Sequence, residues 1–155
     1  MMNFLRNNLV QHVAPDATAA TTFTLAAGTT DVNSSAVDTQ GYMEATFVWI
    51  FGDNADTATF TGKIQGSADG STGWADITGA TTSFTAGATD TDNEMLAVAI
   101  TSPLNRYVRA VSDRGTANTA LNGLLCVLGM PTQGAVTQLT SAGQFISAPV
   151  QVSTI

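Results

Sequence analysis

Alternation of apolar and polar residues organises most of this chain. Tyr42 to Phe51 puts Met43, Ala45, Phe47, Trp49 and Phe51 on one face. Its other face starts polar with Tyr42, Glu44 and Thr46, then turns apolar at Val48 and Ile50. Thr57 to Ala68 alternates most cleanly, Phe60 and Ile64 sharing a face with Ala58, Gly62, Gly66 and Ala68 against Thr57, Thr59, Thr61, Lys63, Gln65 and Ser67. A period of two is the signature of a half-buried strand. Thr22 to Ala27, Trp74 to Thr78, Thr82 to Ala86, Met95 to Thr101, Leu104 to Ser112 and Thr119 to Met130 read the same way. Asp69-Gly70 supplies the positive φ of a hairpin turn between two of them. About eight short strands with turn signals between them predict an all-β fold, a single antiparallel β-sandwich of jelly-roll type.

The pattern divides the chain into three. Residues 1–21 form an N-terminal arm, in which Leu5, Leu9 and Val13 recur at helical spacing and predict a short helix over 2–13, ended by Ala14-Pro15. Residues 22–130 are the sandwich. Residues 131–155 carry no charged side chain and form an extended C-terminal arm, where Ile146, Ala148, Val150 and Val152 alternate and Pro149 restricts the segment to a sheet edge. The expected core is Phe47, Trp49, Phe51, Phe60, Ile64, Leu96, Val98, Ile100, Val108, Leu121, Leu125 and Val127. The stretch Leu121 to Met130 is apolar on both faces, as are Val48 and Ile50, so something should cover the outer face of that sheet: an arm or another subunit. Both arms are expected to act in trans, because an uncharged extended segment gains little alone in water and more on a neighbour's sheet edge.

Composition sharpens this picture. Of 155 residues 44% are hydrophobic, yet only 11% are charged, well under the roughly 25% of an ordinary soluble domain. Thr, Ala, Ser, Gly and Asn hold the positions charges usually take. Such a surface costs little to desolvate and suits packing against neighbours. The net charge is −7, and the five bases Arg6, Lys63, Arg106, Arg109 and Arg114 form no run; nucleic acid and anionic membrane are therefore not expected partners. Residues 1–13 lack a continuous apolar run of signal-peptide type, and no stretch has transmembrane length.

Candidate chemistry is sparse. Cys126 is the single cysteine, set in an apolar run, so no intramolecular disulfide can form and folding in a cytosol is expected. His12 is the single histidine, which leaves a Ser-His-Asp triad or a histidine zinc site without parts. Asp90, Asp92 and Glu94 place carboxylates at alternate positions, a spacing that can converge on calcium, but the glycine and distal glutamate of a calcium loop are missing; a solvated loop is the simpler expectation. Trp74 is either a sugar-stacking platform or a hairpin-packing residue. Arg106 and Arg109 have opposite parity on one strand, so at least one is expected to form an ion pair within the chain or at an interface. No catalytic, cofactor-binding or metal-binding residue is assigned, and the chain is expected not to be an enzyme.

The segment Lys63-Ile64-Gln65-Gly66-Ser67-Ala68-Asp69-Gly70-Ser71-Thr72-Gly73-Trp74-Ala75-Asp76-Ile77 resembles a hairpin of tailed-bacteriophage structural proteins, in which a strand ending Gln-x-Ser enters an Asp-Gly turn and a Trp-x-Asp strand. With its arms and its acidic, Thr- and Ala-rich sandwich, the whole layout is similar to phage head decoration (cement) proteins. The resemblance implies a virion protein made in the host cytoplasm and placed on the capsid surface. Its implied partners are the major capsid protein and itself, as a homo-oligomer, most often a trimer, that clamps neighbouring capsid subunits. A tail or head-fibre module binding a host glycan, and a small jelly-roll capsid subunit, are the alternatives.

Overall fold

In the computed structural model of the chain, the described residues are 4–13, 25–88, 91–102 and 105–138. They build an antiparallel β-sandwich of two sheets. One helical turn, α1 (Phe4–Asn7), leads into β1 (Leu9–His12); then follow β2 (Leu25–Gly28), β3 (Val32–Asn33), β4 (Val37–Asp38), β5 (Tyr42–Phe51), β6 (Thr59–Ser67), β7 (Ala75–Thr85), β8 (Met95–Thr101), β9 (Tyr107–Gly115) and β10 (Thr119–Pro131). The first sheet has the order β1-β10-β5-β8, with β2 also on β10; the second is β3-β9-β6-β7, with β4 also on β9. From β5 onward the chain changes sheet at every connection except the β6–β7 hairpin.

The alternation read in β5 and β6 is what the core uses. Phe47, Trp49 and Phe51 enter from the first sheet, Phe60, Ile64, Val108 and Ala110 from the second, all buried. Phe60 sits at the centre of an aromatic cluster: its ring is 4.8 Å from Phe51 and 6.0 Å from Trp49, both edge-on, and 5.5 Å from Phe84, nearly parallel. The buried indole N–H of Trp49 donates to Ser112 Oγ across the sheets at 2.9 Å, which satisfies a polar atom that burial would otherwise penalise. Gly62 faces the indole; a Cβ there would lie 3.1 Å from the Trp49 ring, so any larger residue would have to push the indole aside by a few tenths of an ångström. The β6–β7 turn is closed by Asp69, whose carboxylate accepts from the N–H groups of Ser71 and Thr72 and the Thr72 hydroxyl, while Gly70 takes φ +77°. Those bonds hold the Asp69 carboxyl far below the usual carboxylate range.

Several sequence expectations need correction. Among the described residues the helix expected over 2–13 covers only Phe4–Asn7, and Leu9–His12 is a strand paired with Leu125–Leu128. A helix so short is marginal by itself, whereas the β10 edge offers a ladder of backbone partners and buries Leu9 and Val13. That part of the N-terminal arm therefore packs on its own subunit rather than in trans. The core assignment of Leu125 and Val127 is also reversed. A register shift between Leu121 and Gly123 flips the strand, so Leu124, Cys126 and Leu128 are buried while Leu125 and Val127 lie half-buried on the outer face. Leu96 is half-buried against the core. Trp74–Thr78 and Thr82–Ala86, expected as two strands, belong to one continuous β7 that starts after Trp74, with a register shift opposite Lys63 and Gln65. Strands β3 and β4 carried no sequence signal. Part of the strand expected from Thr22, and residues 139–155 with the tail's alternating segment, lie outside the described residues.

The first part of the C-terminal arm returns to the N-terminal segment. Val136 N donates to Arg6 O at 2.8 Å. The buried Gln138 side chain donates to Leu5 O and Asn8 O and accepts from Val10 N.

Candidate interaction surface

The two outer faces of the sandwich differ sharply in chemistry. On the β3-β9-β6-β7 sheet, charged and polar side chains interlock. Lys63 Nζ lies 3.6 Å from Asp76 and 3.9 Å from Asp113. Arg109 Nε donates to Gln65 Oε1, and Gln65 Nε2 donates to Asp76 Oδ1. The Arg109 guanidinium also lies over the Trp74 ring, 4.4 Å from its centroid. At the end of the same sheet Arg106 pairs with Asp38 at 3.2 Å and sits over Tyr107. The ion pair expected of at least one of the two arginines is thus made within the chain by Arg106. Trp74 packs on the hairpin, with one ring face taken by Arg109.

On the β1-β10-β5-β8 sheet the register lines up mostly apolar side chains in rows, with Thr46 and His12 as the polar members. Val10, Val127, Thr46 and Ala99 form one; His12, Leu125, Val48 and Ala97 the next; Ile50 and Met95 a third, opposite Gly123. Val10, Val48, Ile50, Leu125 and Val127 are half-buried, and Ala97, Ala99 and Met95 are exposed. Glu44 stands at one end of the face, and His12, whose pKa burial lowers, on its flank. The double-sided apolarity of Val48, Ile50 and β10 in the sequence pointed here. Val10 was missed, because the helical spacing of its neighbours masked a period of two.

The other singled-out residues do not converge on this face. Cys126 is buried in the core and its thiol pKa is driven far up by desolvation. Asp92 Oδ1 accepts from Asn54 N at 2.8 Å and so fastens one loop to another, and Glu94 is exposed; Asp90 lies outside the described residues. Asn54 continues that fastening, donating to Thr91 O and accepting from Ala120 N. Among the described residues no group of three or more His, Cys, Asp or Glu is placed to hold a metal ion. Among them, too, no helix is long and apolar enough to cross a membrane. Two open clefts flank the turn at Gln40, Gly41 and Tyr42, one of mixed lining that includes Met43 and Arg106, the other mainly polar.

No protein-family model matches the chain, and no curated protein does. Among solved structures it is similar to the PBSX exported protein XepA, at TM-score 0.47 and 11% identity over 100% of this chain and 46% of that one. The chain thus spans under half the length of XepA. It is also similar to the Eiger TNF from S. frugiperda (TM-score 0.39, 8% identity, 86% of this chain and 99% of that one). A third is the Desmodium yellow mottle tymovirus (TM-score 0.34, 14% identity, 86% and 90%).

Proposed function

We propose that this chain is a non-enzymatic structural protein of a bacteriophage virion. In this reading the outer face of its β1-β10-β5-β8 sheet lies against the outside of the capsid and cements neighbouring copies of the major capsid protein. The observation that carries the reading is the sidedness of the sandwich. Salt bridges and charged side chains crowd one outer face, and the other presents rows of half-buried aliphatic residues with one carboxylate at its end. A face of this kind costs little to desolvate and gains by burial. A chain of net charge −7 can approach another protein surface there without bringing its carboxylates along. The hairpin from Lys63 to Ile77, with its phage-type sequence, supports the particle context. The glycan-binding alternative needs an open aromatic platform, and Arg109 occupies one face of Trp74.

The test is re-addition of purified protein to capsids that lack it, followed by co-sedimentation and by location of the bound copies on the particle. Val48→Lys and Val127→Lys, both on the outer face, should leave the fold intact and reduce capsid binding at least tenfold. Undiminished binding by both folded variants, or binding at a site other than the capsid exterior, would sink the reading.

A further inference from the structure

The first sheet ends in two very different edges. At β1 the edge is four residues long, and its outward Val10 N–H is taken by the Gln138 side chain. At β8 the edge is seven residues long, Met95–Thr101, and pairs with β5 alone among the described strands. Phe51 N donates to Glu94 O and Ser102 N donates to Met43 O. With the Phe47↔Val98 register, these bonds fix the ladder. Leu96, Val98 and Ile100 turn their N–H and C=O groups to β5 and their side chains to the core. Met95, Ala97, Ala99 and Thr101 turn their N–H and C=O groups away from β5, towards an edge without a partner among the described strands, and their side chains to the outer face. Proteins usually blunt such an edge with lysine, proline, a bulge or a cover. β8 has no charged residue and no proline, and its pairing with β5 runs through all seven residues without a register shift.

We propose that β8 is a self-association edge, pairing antiparallel with β8 of a second copy about a two-fold axis through Val98. The outward groups are palindromic about that residue. Met95 then stands opposite Thr101 of the partner subunit, and Ala97 opposite Ala99 of the partner subunit, so every outward N–H meets an outward C=O. The outer-face side chains at the centre of the seam are alanines, which let the two sheets join without collision. Charge favours this occupant. The acidic residue flanking β8, Glu94, falls opposite Ser102 of the partner subunit. The two copies of Glu94 are thereby held roughly 25 Å apart along the strand, beyond the screening length at physiological salt. Two chains of net charge −7 meet along a line without charges. The joined sheet would extend the aliphatic outer face across both copies, though the pairing stands whether or not that face meets a capsid.

Sedimentation equilibrium tests it. The wild-type chain should reach twice the 15.9 kDa mass with rising concentration. Ala97→Pro and Ala99→Pro each delete an outward donor and spare the β5 ladder; each should return the mass to that of one chain, with the far-UV circular dichroism of the wild type. A wild-type monomer at millimolar concentration, a trimer, or a dimer that persists in folded Ala97→Pro overturns the proposal. Should the proline variants not fold, the double variant Ala97→Cys/Ala99→Cys decides. Hydrogen-bonded antiparallel pairs have Cα atoms about 5.5 Å apart, within disulfide reach, so mild oxidation should give a covalent dimer. Its absence overturns the pairing.

Discussion

Replacing Phe60 by alanine strikes a ring that packs against three others among the described residues. The side chain is fully buried and packs on Phe51 from the edge, on Trp49 from the edge and on Phe84 in a near-parallel stack. Truncation removes its transfer free energy and leaves a cavity. Large aromatic truncations in cores cost about 3–5 kcal/mol, and each aromatic pair adds roughly 0.5–1.5 kcal/mol beyond its area. Collapse is hindered, because neighbouring Gly62 lies under the Trp49 indole and β6 is hydrogen-bonded on both sides, to β7 and β9. The loss should therefore fall at the upper end, about 4–5 kcal/mol, and lower the melting temperature by roughly 10–15 °C for a domain of this size. Urea unfolding followed by tryptophan fluorescence and by circular dichroism measures it, with an unchanged m-value showing that the unfolded state is unaffected. Thr61→Ala, one residue away on the outer face, serves as control and should stay within about 0.5 kcal/mol of wild type. A loss under about 1.5 kcal/mol for Phe60→Ala, or an equal loss for Thr61→Ala, would refute the assigned facing of β6.

Two further expectations concern titratable groups. Burial, followed by the hydrogen bond and charge of Asp31, raises the Asp113 carboxyl pKa, while Lys63 pulls it the other way. A carboxyl whose folded pKa is raised penalises the fold above that pKa, and the penalty fades as pH falls through it. Asp113→Asn should accordingly raise the melting temperature at pH 7, with the gain shrinking towards pH 3; a lower midpoint at pH 7 counts against the assignment. Cys126, buried and with its thiol pKa pushed far up, should not react with a thiol reagent in the folded protein and should react at once in denaturant. Rapid labelling of the native chain would place it outside the core.

Elements whose pattern is local were legible from residues alone. Tyr42–Phe51 and Met95–Thr101 occupy the expected spans, and Phe60 and Ile64 face the core as their period of two requires. A pleated strand sends alternate side chains to opposite faces whatever lies beside it, so composition and order sufficed for the two-layer all-β class. The aliphatic outer face was half legible in the same way, through Val48, Ile50 and the double-sided β10. Decisions made between distant segments were not. The shift between Leu121 and Gly123 exchanges the faces of Leu124–Leu128, and an apolar run on both sides carries no mark of where such a shift falls. Leu5, Leu9 and Val13 fit a helix by spacing, yet Leu9–His12 is a strand, because the β10 edge more than a hundred residues away supplies partners that a single helical turn lacks. The sidedness of charge depends on the pairing of β6 with both β7 and β9, which gathers Lys63, Asp76 and Asp113 onto one face. Alternation fixes which residues share a face of one strand; only the register between strands decides which faces meet, what they bury and which edge is left open.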